Sequence, residues 1–249
     1  MTLNPYDADV AEAFKAAREI PYEGLAEWRE AVQRHLDPLP GKTLLDIGAG
    51  TGAFSSAFAS WFDIAIVAIE PSAAMRDHIP RTPSISVLAG DALALPVPDE
   101  SADAAWLSLV IHHVPDLDAA AREIRRALRA GSPVMIRQGF PDRPLDGIEM
   151  IRWFPETARL VETYPTLERT CAAFEAAGFA FASVEQVRDV RPESLEHFLG
   201  QLDALRHADT TLRALTEDEF QLGKERVRRA VEAGGTEPRD NWLDLLVLR

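Results

Sequence analysis

Short apolar runs and amphipathic stretches alternate along this chain. Between Thr43 and Phe140 the apolar runs fall at Leu44–Ile47, Ile64–Ile69, Ser84–Leu88, Asp103–Ser108 and Pro133–Gln138. Each reads as a buried strand, and the stretches between them read as crossover helices. That is the pattern of a parallel sheet in an α/β fold. Ahead of it, residues 5–36 read as helical with a break at Ile20-Pro21. Leu25, Trp28, Ala31, Val32, His35 and Leu36 recur at helical spacing. Pro38-Leu39-Pro40-Gly41 then interrupts the chain. This front segment is expected to pack beside the sheet and help close a ligand cleft.

The alternation loosens after the fifth strand. Pro141, Pro144, Pro155 and Pro165 punctuate residues 141–165, which carry Met150, Ile151, Trp153, Phe154 and Tyr164. This is expected to be an insertion lying over the substrate. A helix from Leu167 to Ala177 stopping at Gly178, and a strand near Phe181–Val190, come next. Residues 193–233 read as amphipathic helix, with Leu195, Phe198, Leu199, Leu202 and Leu205 in one stripe. Their length predicts a second part of the lid or a dimer contact. A loop from Gly234 to Arg239 leads to a closing strand, Asp244–Leu248. The helix after the fourth strand is expected over Leu117–Arg129, stopped by Gly131 at C′.

Composition narrows the function classes. The 249 residues are 47% hydrophobic and carry a net charge of −14. That suffices for one α/β domain, divided as a helical cap (1–40), a ligand-binding core (41–140), the lid insertion (141–165) and a C-terminal half (166–249). The acidity argues against a nucleic-acid partner, which normally meets a basic patch. Arg125, Arg126 and Arg129 share a predicted helix with Glu123 and read as a solvated face. Cys171 is the single cysteine, so no internal disulfide forms. Met1–Val10 carries acids and no long apolar stretch, and no segment reaches membrane-spanning length. A cytoplasmic protein is expected, without a membrane partner.

The sharpest chemical signal is Leu44-Leu45-Asp46-Ile47-Gly48-Ala49-Gly50-Thr51-Gly52. A strand ending in alternating glycines lets the backbone approach a nucleoside-bearing ligand. Gly48, Gly50 and Ala53, with Glu70 ending the next strand, also fit the dinucleotide fingerprint G-x-G-x-x-G/A, so the glycines leave two cofactors open. The acids separate them. A dinucleotide brings a pyrophosphate to the helix N-terminus, whereas S-adenosylmethionine brings a sulfonium, an ammonium and a carboxylate. Asp46 can take the ammonium directly or through water, Glu70 the ribose hydroxyls, and Asp91, ending the third strand, the adenine amino group.

At these residues the chain resembles the class I S-adenosylmethionine-dependent methyltransferases, in the small-molecule branch that includes the ubiquinone/menaquinone-type enzymes. Leu45–Gly52, Ile69-Glu70-Pro71-Ser72 with Met75, Gly90-Asp91-Ala92 with Leu95-Pro96, and Asp103–His113 with the helix ending at Gly131 carry the resemblance, closely over residues 40–140. It implies a Rossmann-like, mostly parallel seven-stranded sheet whose last strand is antiparallel. It also implies a cofactor site of Asp46, Gly48, Ala49, Gly50, Thr51, Gly52, Glu70, Pro71, Met75, Gly90, Asp91, Ala92 and Ser108, and methyl transfer to O, N or C of a small organic molecule. A nicotinamide-dependent oxidoreductase and a binding protein without turnover are the alternatives.

Methyl transfer needs the donor and nucleophile held in line in a site closed to water, so few catalytic residues are required. His112 and His113 follow the fourth strand at the rim, and either can serve as general base, with His113 the preferred of the two. Against this, the resembled family often has a histidine here without catalytic duty. Two adjacent histidines make a poor metal site, and no metal is expected. His35, His78, His197 and His207 are scattered and read as structural or exposed. Arg137, with Gln138 ending the fifth strand, can clamp a substrate carboxylate or pair with Asp142 or Asp146. Trp153, Phe154 and Tyr164 can stack on an aromatic or terpenoid substrate or simply pack. Tyr6 and Tyr22 are placed near the cleft mouth. The partner set is a small-molecule methyl acceptor and, through the long helical stretch, a second copy in a homodimer.

Overall fold

The computed structural model describes residues 22–36, 40–191, 194–235 and 239–249. Tyr6 and the Ile20-Pro21 break lie outside them. After a 3-10 turn at Tyr22–Leu25 come α1 (Ala26–Leu36), β1 (Thr43–Ile47), α2 (Ala53–Trp61), β2 (Ala65–Ile69), α3 (Ala73–Arg76), β3 (Ile85–Leu88) and β4 (Ala104–Ser108). A second 3-10 turn, Ile111–His113, leads to α4 (Leu117–Ala127) and β5 (Val134–Gln138). Then follow α5 (Glu149–Trp153), a 3-10 turn at Pro155–Thr157, α6 (Ala158–Val161), α7 (Leu167–Ala176) and β6 (Phe181–Arg191). The chain closes with α8 (Leu195–Ala208), α9 (Thr210–Arg213), α10 (Glu217–Glu232) and β7 (Arg239–Leu248).

The seven strands form one sheet in the order β3-β2-β1-β4-β5-β7-β6. β7 runs antiparallel to both its neighbours, β5 and β6, as expected of the closing strand. The parallel strands are apolar because both sheet faces are covered. Alternation along β1 shows it: Leu45 and Ile47 pack into the layer under α4 and α7, and Leu44 packs into the layer under α1 and α2. Chain order reverses between β1 and β4, the switch point where open α/β sheets leave a crevice beyond the carboxyl ends of their strands. α1 meets β6 and sets Trp28 edge-on to Trp106 of β4, so the described part of the front segment, residues 22–36, packs beside the sheet.

Among the strands of the sheet and its crossover helices, two boundaries differ from the sequence reading by more than one residue. α4 stops at Ala127 rather than Arg129, because Leu128 turns extended (φ −91°, ψ 142°) and bridges to Ala102. The backbone pairing at Leu128 ends the helix, and Gly131 turns the chain three residues later. β7 begins at Arg239 rather than Asp244. Its first half, Arg239–Leu243, pairs with β6 but not with β5. That half is a polar two-stranded arm, and polar residues outside a core carry little strand signal.

The arm supports a helical layer at the carboxyl end of the sheet. The 193–233 stretch divides into α8, α9 and α10, each opened by a side-chain cap from Ser194, Asp209 or Thr216. Their stripe of Leu195, Phe198, Leu202 and Leu205 is buried against Leu212, Leu215, Phe220, Val227 and the Phe154 delivered by the 141–165 insertion. The two insertions therefore build one lid with its own small core. Gly223 is the tightest contact in it: a Cβ there would lie 2.0 Å from Cδ1 of Phe154. Gly223→Ala should cost about 1–3 kcal/mol through overpacking, read as a lower urea midpoint with an unchanged slope. A midpoint equal to wild type would contradict this packing.

Candidate functional site

A cavity of about 1050 Å³ opens at the carboxyl ends of β1, β2, β4 and β5 beneath the lid. Its volume matches a drug-sized or nucleoside-sized ligand with room for a second molecule. One end is built by the glycine turn after β1. Gly48 has φ +71°, and a Cβ on it would sit 2.6 Å from Cγ2 of Val110, so no larger residue fits there. Gly48 N–H and Ala49 N–H both donate to the Ile69 carbonyl, fastening the turn across the tip of β2.

Two carboxylates flank this turn. Asp46 is 2% exposed, and its Oδ2 accepts from Ser55 Oγ at 2.5 Å, out of α2. Burial pushes its pKa up to about 7; the Ser55 hydrogen bond counters the shift and the nearby Glu70 adds to it. Glu70 is also buried. Its Oε2 accepts from Gly50 N–H and its Oε1 from Ser72 N–H, each at 2.9 Å. Burial raises its pKa too, against those two backbone bonds. A carboxylate has about four acceptor positions, so Glu70 can hold the turn and still accept from a ligand.

Asp91 sits on the exposed rim of the same cavity, where its Oδ1 accepts from Leu93 N–H and Ala94 N–H. Ala49, Gly50, Thr51, Pro71, Met75, Ala92 and Ser108 line the wall. Gly52 and Gly90 do not. A Cβ on Gly52 would meet Ile79 at 2.8 Å, and one on Gly90 would meet Pro96 at 2.7 Å, so both permit close packing behind the wall.

Residues 45–136 match the model of a family described as "Methyltransferase domain". The ubiquinone/menaquinone biosynthesis C-methyltransferase UbiE of Caulobacter sp. (strain K31) is 37% identical over 117 residues, 42% of this chain and 46% of that protein. The demethylmenaquinone methyltransferase of Thermobifida fusca (strain YX) is 31% identical over 171 residues, 61% of this chain and 71% of that protein. The chain belongs to the methyltransferase family. It spans about half the length of the Caulobacter relative. Among solved structures of the methyltransferase fold, one from Anabaena variabilis ATCC 29413, assigned to an antibiotic biosynthesis pathway, superposes with a TM-score of 0.71. It is 20% identical, and the match covers 89% of this chain and 96% of that one.

The methyl donor of this methyltransferase family is S-adenosylmethionine, and the wall fits it. A buried carboxylate held near neutrality by burial is a receptor for an ammonium, which would stabilise its ionised form. A dinucleotide needs Glu70 but brings a pyrophosphate to the same turn, where Asp46 offers it no positive partner. The acids thus favour the sulfonium donor over a nicotinamide dinucleotide.

The other end of the cavity is where an acceptor would lie. His112 and His113 stand on its wall. His112 is half-buried: its Nδ1 lies 3.3 Å from Gln138 Oε1, and its ring stacks on Tyr164 of the lid at 4.1 Å and 13°. His113 is more exposed, its ring centroid 4.0 Å from that of His112. Arg137 also lines the cavity, but its ion pair is with Asp189 of β6, Nη2 to Oδ2 at 2.5 Å, and not with Asp142 or Asp146. Asp142 caps α7 instead. The Arg137 guanidinium also donates to Ser108 Oγ at 3.3 Å and lies over the rings of Trp28 and Phe54.

Trp153 and Phe154 are corrected. Phe154 is fully buried, stacked on Phe220 inside the lid core, and Trp153 packs against that same core; neither reaches the cavity. The aromatic residue of the insertion on the wall is Tyr164. Sequence reasoning missed Leu25, Phe54, Glu149, Arg191, Phe198, Arg239 and Asn241, all on the wall. Asp189, Arg191, Arg239 and Asn241 belong to the β6–β7 arm, where Asn241 Nδ2 donates to Asp189 Oδ2 and Arg239 makes a paired bridge to Glu149 of α5. Their one sequence signal is period two: 187, 189 and 191 on one strand, and 239, 241 and 243 on the next.

Asp46 carries a two-sided expectation. Its raised native pKa means the folded state binds more protons than the unfolded state between about pH 4 and 7. Ionised Asp46 therefore costs stability as pH rises through that window. Asp46→Asn, keeping the acceptor for Ser55, should make the protein more stable than wild type at pH 8 by on the order of 2 kcal/mol, with the gap narrowing toward pH 4. The same variant should bind S-adenosylmethionine about 10- to 100-fold more weakly. Thermal melts across pH with calorimetry check both; equal stability at pH 8 would contradict the uncompensated burial of Asp46.

Proposed function

We propose that this protein transfers a methyl group from S-adenosylmethionine to a small organic acceptor with a largely apolar body. The observation that carries this is the pair of buried carboxylates, Asp46 and Glu70, on adjacent strand tips around a glycine turn, opening into one cavity with His112 and Tyr164. Asp46 would hold the donor's ammonium, Glu70 its ribose hydroxyls, and Asp91 its adenine edge, with Pro71, Met75 and Ala92 as apolar floor. When bound, the donor supplies a methyl group already activated on a positive sulfur.

The remaining chemistry belongs to the chain. Ile148, Met150, Val161, Phe198 and Leu205 line the cavity and would keep water from a bound acceptor. Those side chains suit an apolar acceptor body, as the quinone-pathway names of the relatives also suggest. His112 is the proton acceptor we favour over His113, because it is half-buried and held on its edge and its face. A base so placed contributes roughly 10²–10⁴-fold where the nucleophile must lose a proton. Arg137, fixed by Asp189 and two rings, would orient a polar group of the acceptor rather than swing freely.

We further propose that residues 1–249 act as one domain, in the cytoplasm; among the described residues no helix is long and apolar enough to cross a membrane. Calorimetry should show S-adenosylmethionine binding and none by NAD. Methyl-labelled donor offered to a panel of quinols, phenols, amines and carboxylic acids should yield labelled product. With an accepted substrate, His112→Ala should lower kcat by at least about 100-fold, with donor affinity unchanged. Binding of NAD in place of the sulfonium donor would overturn the reading; donor binding with no transfer to any class would reduce it to a binding protein.

A further inference from the structure

Gln138 ends β5 and is 1% exposed, wedged between the backbone and the His112 imidazole. Its amide Nε2 donates to the Gly139 carbonyl at 3.3 Å. A carbonyl only accepts, so this contact fixes which way the amide faces: NH₂ toward Gly139, and Oε1 toward His112. Oε1 lies 3.3 Å from His112 Nδ1. An amide oxygen also only accepts, so the hydrogen bond exists only when Nδ1 carries the proton. Neutral His112 then has its lone pair on Nε2. On the ring's face, Tyr164 stacks at 4.1 Å with planes 13° apart, brought there by the 141–165 insertion.

We propose that Gln138 is a positioning residue that sets the tautomer of His112, so that Nε2 is its proton-accepting atom, and that Tyr164 holds the ring in that orientation when the lid is closed. The proposal rests on His112 being the base of the methyl-transfer reading and adds how the chain prepares it. In the other tautomer the Nδ1 lone pair would face the Gln138 oxygen, an acceptor against an acceptor. A backbone carbonyl at the end of β5 thus selects, through one amide, which nitrogen of a histidine across the strand gap is basic. The energetic scale is that of one buried hydrogen bond against a lone-pair clash, enough to hold one tautomer in large excess.

The tautomer is read directly by long-range ¹H–¹⁵N NMR of protein labelled at histidine, with His112 assigned by its absence in His112→Gln. Neither donor nor acceptor is needed. Above the titration range, wild type should show His112 with a protonated, pyrrole-type Nδ1 and a pyridine-type Nε2. Gln138→Leu, which keeps the volume and removes the acceptor, should move the signal toward the Nε2–H form. Gln138→Glu, which restores an acceptor at the same place, should return it to Nδ1–H. Tyr164→Leu should keep the Nδ1–H form and broaden the ring signals. Wild-type His112 in the Nε2–H form, or an unchanged tautomer in a folded Gln138→Leu, would overturn the proposal. If Gln138→Leu does not fold, the wild-type spectrum alone decides. Calorimetry with S-adenosylmethionine on the same samples separates this outcome from failure of the methyl-transfer reading: a donor that binds beside a wrong tautomer removes Gln138's role only.

Discussion

A carboxylate buried without a cation is costly, and this fold is arranged around one. Asp46 belongs to a strand that is apolar on either side of it, so its side chain must enter one of the two packed layers. It enters beside α2, and Ser55 gives it one hydrogen bond. That bond does not repay the lost hydration, so the group stays near neutrality. The glycine turn follows at once, because the backbone must double back over the tip of β2 and leave the carboxylate's neighbourhood open. In the proposed reading, strand, turn and helix form a receptor for a positive charge before any ligand arrives, at a local cost in stability.

The second organising element is the arm of β6 and β7. Its outer half is largely polar, lies beyond the backbone pairing of β5, and draws order from a chain of hydrogen bonds: Ser108 to Arg137, Arg137 to Asp189, Asp189 to Asn241, and Asn241 to the backbone of Glu149, which is itself bridged to Arg239. The chain runs from the end of β4 to the first helix of the lid. It ties the cavity wall to its cover through buried polar groups that pair with one another. The lid keeps its own apolar core above this tie, so the cover is a packed unit and not a loose loop.

Much of this was legible in the sequence, and the reasons differ by region. The parallel strands and their order of motifs were readable because continuous apolar runs, a glycine turn and acids at strand ends are all local signals. Asp46 and Glu70 stand out in the sequence as acids at or near the ends of successive strands, and both line the cavity. The lid's apolar stripe, Leu195 to Leu205, was readable as period 3.6. What was not readable was which aromatic faces inward. Trp153, Phe154 and Tyr164 look alike in a Pro-broken stretch, and only the position of Phe220 and Gly223, 66 and 69 residues on, draws Phe154 into the lid core. Likewise Arg137 finds Asp189 rather than a nearby acid because β7 and β6 complete the sheet beyond β5. Long-range pairing of this kind leaves no trace in local composition.

The central claim is that Asp46 is held partly protonated by burial until a cationic adenosyl ligand arrives. The most direct measurement is calorimetry of S-adenosylhomocysteine binding at pH 6.5 in buffers of different ionisation enthalpy, since that ligand carries the same ammonium. The account predicts release of roughly half a proton or more at pH 6.5, fading above pH 8 and absent in Asp46→Asn. Binding with no proton exchange at pH 6.5, or the same exchange in the variant, would contradict it.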